Sequence, residues 1–184
     1  MHVMLFHVSE ERGIEHFEPR RSENGKDPVV WAINAGRLRN YLVPRDCPRV
    51  TYYAGRETTD VDVERFLGSS AAVIAIEADW FERVRSCRLY CYHLPPETFD
   101  CVDECAGYFV SRVPVTPVRV EVFENPVAEL RRRGVELRIA PNLWPLRDAV
   151  VESSLQFSII RMRNALPRAW PDMRFTKISE DARV

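Results

Sequence analysis

Lysine is nearly missing from this 184-residue chain: Lys26 and Lys177 are the only two among 26 basic residues, and arginine supplies the rest. A guanidinium is a planar fork suited to bidentate contacts with phosphate or carboxylate, so the bias favours an anionic small ligand. Net charge is also lacking, with 26 Lys+Arg against 27 Asp+Glu. Nucleic-acid binding through a globally basic surface is therefore not indicated. Glycine is scarce, seven residues against thirteen prolines, which excludes collagen-like or flexible-linker character and points to stiff loops. No stretch reaches the roughly 18 apolar residues that span a bilayer. The apolar start, Met1 to Val8, carries no basic flank and runs into Glu10 and Glu11, so it reads as a strand and not a leader. Five cysteines, an odd number, suit reduced thiols better than a disulfide framework. The expectation is a cytoplasmic protein without membrane association.

What is present is 46% hydrophobic residues, enough for a proper core at this length. Residues 2–8 read as a buried strand, and 10–27 as a long polar loop anchored by Ile14 and Phe17. Pro28 opens a second strand through Ile33, a short helix is expected over 35–43, and 50–54 is a third strand. Thr58, Thr59 and Asp60 offer N-cap chemistry for a helix ending at Gly68. Strands follow at 71–78 and 89–94, with a helix at 80–86 between them. Strand-like runs at 107–113 and 117–123 come after a loop containing Asp100, Asp103 and Glu104. Pro126 opens a helix to Arg133, and 135–139 alternates as a last strand. Leu146, Val150, Ser154, Phe157 and Met162 recur near helical spacing, which predicts a long C-terminal helix over 143–166. The expected fold is α+β, a mixed and mainly antiparallel sheet with flanking helices, in one domain over 1–166 and a surface tail over 167–184.

His7 and Ser9 stand two apart at the end of the first strand, so both project from one face, where an imidazole and a hydroxyl can bind a sugar or phosphate. On the C-terminal helix, Ser154 and Ser158 stand four apart beside Arg161, as a phosphate ledge or as small residues that let helices pack. Cys87, Cys91, Cys101 and Cys105 with His93 gather five donors within a short span. Their C-x3-C spacing departs from that of zinc knuckles, and buried reduced cysteines are the simpler reading. Glu77, at a strand end, is a candidate acid or base, or a surface residue beside a capping Asp79.

The run Leu5-Phe6-His7-Val8-Ser9, followed by a polar loop and Pro28-Val29-Val30-Trp31-Ala32, resembles the start of the ADP-ribosyltransferase-like superfamily. The resemblance implies that His7 and Ser9 hold a ribose and amide of an NAD-like or ADP-ribose-like ligand, with Trp31 or Tyr52 stacking on its base. The segment Gly107 to Arg112 is similar to the late strand that carries that superfamily's catalytic glutamate, but Gly107 stands in its place and the nearest acids are Asp103 and Glu104. Some members use arginines and a histidine instead, a role open to Arg20, Arg49 and Arg112. Over its whole length the chain also resembles a bacterial domain family of unknown function, through PRDCPRV at 44–50 and LWPLRDAVVESSLQFSIIRMRNA at 143–165. Two principal readings follow: a domain that binds a nucleotide-like ligand, with or without transferase chemistry, or a non-catalytic interaction protein. A metal-dependent protein built on the cysteines is a third.

Overall fold

The structure, a computed structural model, describes residues 4–21 and 27–168. Its strands form two sheets. Six make an antiparallel sheet, β1 (Leu5–Ser9), β2 (Val30–Asn34), β5 (Leu89–Leu94), β6 (Phe99–Asp103), β7 (Tyr108–Ser111) and β8 (Arg119–Phe123), in the order β6-β7-β2-β1-β5-β8. Four make the second, β3 (Arg49–Tyr53), β4 (Ala72–Glu77), β9 (Val135–Ala140) and β10 (Gln156–Ile160), in the order β10-β3-β4-β9, with β4 and β9 parallel. Helices are few and short: α1 (Asp60–Asp62), α2 (Phe81–Ser86), α3 (Pro126–Arg132) and α4 (Trp144–Glu152). This is the expected mixed, mainly antiparallel α+β class, divided into two sheets.

The layering follows from strand sequences. In β4, Ala-Val-Ile-Ala-Ile-Glu is buried throughout, as a strand covered on both faces should be. Ile74 and Ile76 point one way and pack with Leu42, Leu89 and Cys91, which fills the space between the sheets. Val73 and Ala75 point the other way, into a second cluster with Tyr52, Leu143 and Val150 beneath α4. A third cluster, with Leu5, Tyr92 and Leu94, lies on the outer face of the first sheet. The 10–21 loop crosses that face, held by Phe17–Val115 and Arg20–Val29 backbone bridges and by the Tyr92 hydroxyl, which donates to Glu11 O at 2.7 Å.

The long helix expected over 143–166 is corrected: α4 stops at Glu152 and the chain turns into β10. Two serines make the turn. Ser153 Oγ donates to Val150 O at 2.6 Å, while Ser154 donates its N–H and its hydroxyl to the Asp62 carboxylate at 2.8 and 2.6 Å. Serines that bond nearby backbone or a cross-chain acceptor compete with helix continuation. Phe157, Ile159 and Ile160 then favour a strand, and Phe157 pairs Tyr52 while Ile159 pairs Val50. Ser154 and Ser158 consequently share no helix face. The segment expected as a loop around Asp100 is the edge strand β6, with a register shift between Cys101 and Asp103. Of the expected tail, Pro167 and Arg168 are tied down, by Asn142 Nδ2 donating to Pro167 O and by an Arg168–Asp148 ion pair at 2.8 Å. Residues 169–184 of that tail, 2–3 of the expected 2–8 strand and 22–26 of the expected 10–27 loop lie outside the described residues.

Glu77 is neither exposed nor in a cleft. It is 2% accessible, and its carboxylate accepts the N–H of Leu143 at 3.1 Å and of Leu166 at 2.9 Å. One side chain thereby fixes both ends of the α4–β10 excursion to the end of β4. Glu77→Ala orphans the buried Leu143 amide and the half-buried Leu166 amide and is expected to cost about 3 kcal/mol, read as a lowered urea midpoint.

Candidate binding cleft

The ladder between β1 and β2 stops early. Leu5 pairs Asn34 and Phe6 pairs Ile33, but no pairing continues beyond them. Past Phe6, β1 stays on β5 as far as Ser9, and β2 stays on β7 as far as Val30. The middle of the sheet thus opens into a gap between His7–Ser9 and Val30–Ala32. Main-chain groups that face this gap have lost their ladder partners, and such groups need others. One is met by a side chain: His7 Nδ1–H donates to the Trp31 carbonyl at 3.0 Å.

A cleft of about 1000 Å³ occupies the gap and the space beside it. One wall is the split strands and the 10–21 loop; the other is Tyr41, Val43, Arg45 and Arg49, with Tyr108 and the β10 end, Ile159 to Arg161, completing it. Arg49 holds the second wall in place. Its guanidinium, 2% accessible, donates Nε–H to Asn40 O at 2.9 Å, and its Nη1 group donates to Cys47 O at 2.9 Å and more loosely to Arg45 O and Pro44 O. It also lies 5.6 Å from the centre of the Tyr41 ring. No carboxylate among the described residues pairs with it, and burial pushes its pKa down to about 10. Arg161, the one described non-glycine residue with a left-handed backbone (φ 57°), enters the same cleft from the end of β10.

Electrostatically the cleft combines Arg20, Arg21, Arg45, Arg49 and Arg161 with the loop's Glu11, Glu15 and Glu18. Glu10 is already engaged, accepting the Arg45 N–H at 3.1 Å and pairing with Arg83 at the same distance. The His7 imidazole sits below its ordinary pKa because burial disfavours the cation, an effect the Trp31 hydrogen bond opposes and Arg45 and Arg20 reinforce. At neutral pH His7 is therefore the neutral Nδ1–H tautomer, with a lone pair on Nε2 free to accept a proton or a hydrogen bond. The ring lies 4.8 Å from that of Phe17.

Five of the seven residues singled out in the sequence line this cleft: His7, Ser9, Arg20, Trp31 and Arg49. Ser9 Oγ accepts the Glu11 N–H at 3.0 Å and keeps its own hydrogen to donate. Trp31 is 38% accessible and meets Tyr108 edge-on at 5.9 Å. The other two stand apart. Tyr52 is buried in the core under α4, its hydroxyl accepting from Arg138 at 2.7 Å, so no ligand can stack on it. Arg112 is exposed and paired with Asp100 at 2.9 Å. Arg45, Tyr41 and Tyr108 carried no expectation, and Arg161 was expected only on a helical ledge with Ser154 and Ser158, not in this cleft. The signal for Arg45 was Pro44 and Pro48 flanking a short polar turn; the helical reading of its segment put Arg161 in the wrong place. Asp103, the acid near Gly107, accepts the Ala106 N–H in its own turn and is not part of this cleft.

The cysteines are dispersed. Cys47 and Cys91 are buried, Cys87 is half-buried, and Cys101 and Cys105 are exposed. His93 Nε2 lies 3.4 Å from Glu121 and its ring packs on Phe6. Among the described residues no group of three or more His, Cys, Asp or Glu is placed to hold a metal ion, and no helix is long and apolar enough to cross a membrane.

A gapped antiparallel sheet stacked on a second, mixed sheet, with an arginine-lined cleft at the gap, is the class of domain these features define. Residues 6–165 match the model of a family of unknown function, DUF6886, and the chain belongs to that family. No curated protein and no solved structure matches it, so the likeness to ADP-ribosyltransferases rests on the sequence motifs alone.

Two measurements probe this arrangement. Arg49→Met removes the donors of the buried Asn40 and Cys47 carbonyls and is expected to lower stability by about 3 kcal/mol in denaturant titrations, with Arg49→Lys failing to restore it. For His7, a pKa below the ordinary 6.5 means its stabilising contribution is complete above pH 6.5. It is lost as pH falls from there through the folded-state value, because the unfolded chain binds the proton first. The His7 ring protons should titrate by NMR below pH 6.5, and His7→Gln should flatten that part of the stability profile.

Proposed function

We propose that the cleft binds a nucleotide or ADP-ribose-like ligand. The observation that carries this reading is the gap in the first sheet: it opens on a cavity of nucleotide size, beside Arg20, Arg45 and Arg49, whose guanidiniums pair with no carboxylate among the described residues. Arg20 and Arg45 are the phosphate ligands, and Arg49 supplies positive charge from behind. His7 Nε2 and the Ser9 hydroxyl, on one strand face, accept from and donate to a ribose. Trp31 and Tyr108 offer aromatic surface to a base. Each role uses a group whose charge or hydrogen-bonding capacity is otherwise unused. The reading takes residues 1–166 as one domain, because the two sheets share the cluster built on Ile74 and Ile76.

Binding is assigned without a transfer step. The carboxylates that line the cleft come from the 10–21 loop, and none comes from β7, where the resembling superfamily carries its glutamate. Thermal denaturation with NAD, ADP-ribose, AMP and inorganic phosphate tests the proposal. ADP-ribose or a nucleotide is expected to raise the melting temperature with rising concentration. His7→Ala and Arg45→Ala should each weaken binding about tenfold or more, as loss of a charge-assisted or buried hydrogen bond does. Absence of a shift with all four compounds, or an undiminished shift in Arg45→Ala, rejects it.

A further inference from the structure

The far side of the first sheet carries a feature that the cleft does not use. β8 is the edge strand opposite β6, bonded among the described residues to β5 alone. Val118, just before it, and Val120 and Val122 within it recur at every second position and are 64%, 43% and 47% accessible. The register places Val120 opposite Tyr92 and Val122 opposite Tyr90, so these valines continue the apolar face on which Tyr90 and Tyr92 are buried. Where the 10–21 loop covers that face its residues are buried; at β8 the row is open among the described residues. Between the valines, on the opposite face, stand Arg119 and Glu121, already paired with each other, with His93 also beside Glu121.

We propose that β8 pairs antiparallel with β8 of a second copy of this chain, about a two-fold axis through Val120. The occupant is set by the sequence of the edge itself. Val118-Arg119-Val120-Glu121-Val122 is self-complementary in that register: Val118 falls opposite Val122, Val120 opposite itself, and Arg119 opposite Glu121. A two-fold interface requires such matching of a surface to itself. Edge strands that stay single are blunted by charges, most often lysine, that repel a second copy. Here opposite signs are placed so that the approach of a second copy brings each arginine to a carboxylate, on the side away from the valines. Directly opposed charges across an antiparallel pair stabilise it when unlike and destabilise it when alike. The pairing joins two six-stranded sheets into one and covers three valines on each copy.

Sedimentation velocity on the full chain over a concentration series tests this, with far-UV circular dichroism as the folding control. The wild type is expected to reach twice its 21.4 kDa mass. Val120→Lys places two ammonium groups face to face on the axis and should yield a folded monomer. Arg119→Glu and Glu121→Arg each oppose like charges in the homodimer and should be monomeric alone. Mixed in equal amounts the two variants should form a heterodimer, since one chain then brings two carboxylates and the other two guanidiniums to the facing positions. The mixing result does not depend on Val120→Lys folding. A wild type that stays monomeric throughout overturns the proposal and leaves the valines to another occupant, the chain's own 169–184 segment among them. A dimer that survives Val120→Lys, or a mixture that fails to associate, overturns it as well.

Discussion

A single buried guanidinium sets the shape of the cleft. Arg49 begins β3, yet its side chain reaches back to carbonyls of the preceding turn, at Asn40, Pro44, Arg45 and Cys47. A turn bounded by two prolines cannot form many main-chain hydrogen bonds of its own, and a buried carbonyl without a donor is costly. Arg49 supplies the donors and at the same time fixes the position of Arg45 and Tyr41. A carboxylate in place of the carbonyls would have neutralised the charge; carbonyls leave it uncompensated. The same interaction therefore supports the wall and leaves a guanidinium without a carboxylate partner behind the cavity. Glu77 is its counterpart under α4, a carboxylate whose charge is directed entirely at two backbone amides.

The near-zero net charge hides a division of labour among the arginines. Several are consumed in exposed pairs: Arg85 with Glu82, Arg88 with Glu124, and Arg112 with Asp100. Exposed pairs of this kind contribute little to stability, but they remove those arginines from competition for an external anion. Arg20, Arg45 and Arg49 have no such partner among the described residues. A protein neutral in bulk thus gathers three arginines without carboxylate pairs where the first sheet opens, facing the glutamates of the 10–21 loop.

Much of the fold was legible because it obeyed local rules. The alternation in Leu5–Ser9, the wholly apolar Ala72–Ile76, the proline at the start of α3 and Gly134 after it all read directly from the chain. The misreadings share a cause: they lie where a distant residue overrules local pattern. Ser154 ends a helical periodicity only because Asp62, far away in sequence, waits for its N–H and hydroxyl. Phe99–Asp103 is polar and looks like a loop, but an edge strand needs only one neighbour, which β7 provides. At the site, His7, Ser9 and Trp31 could be found from strand parity and motif, whereas the separation of β1 from β2 leaves no local mark. Tyr52 failed because an aromatic in a strand presents itself equally to core and to cleft, and here the core took it.

The gap between β1 and β2 also has a mechanical meaning. The six-stranded sheet is really two ribbons of three, β6-β7-β2 and β1-β5-β8, spliced by two residue pairs at one end and by an imidazole bridging to the Trp31 carbonyl further along. The sheet is continuous only through that splice, and beyond Phe6 it is the histidine side chain that bridges it. Whatever enters the opening touches both ribbons at once, so occupancy of the cleft and integrity of the sheet are one structural matter.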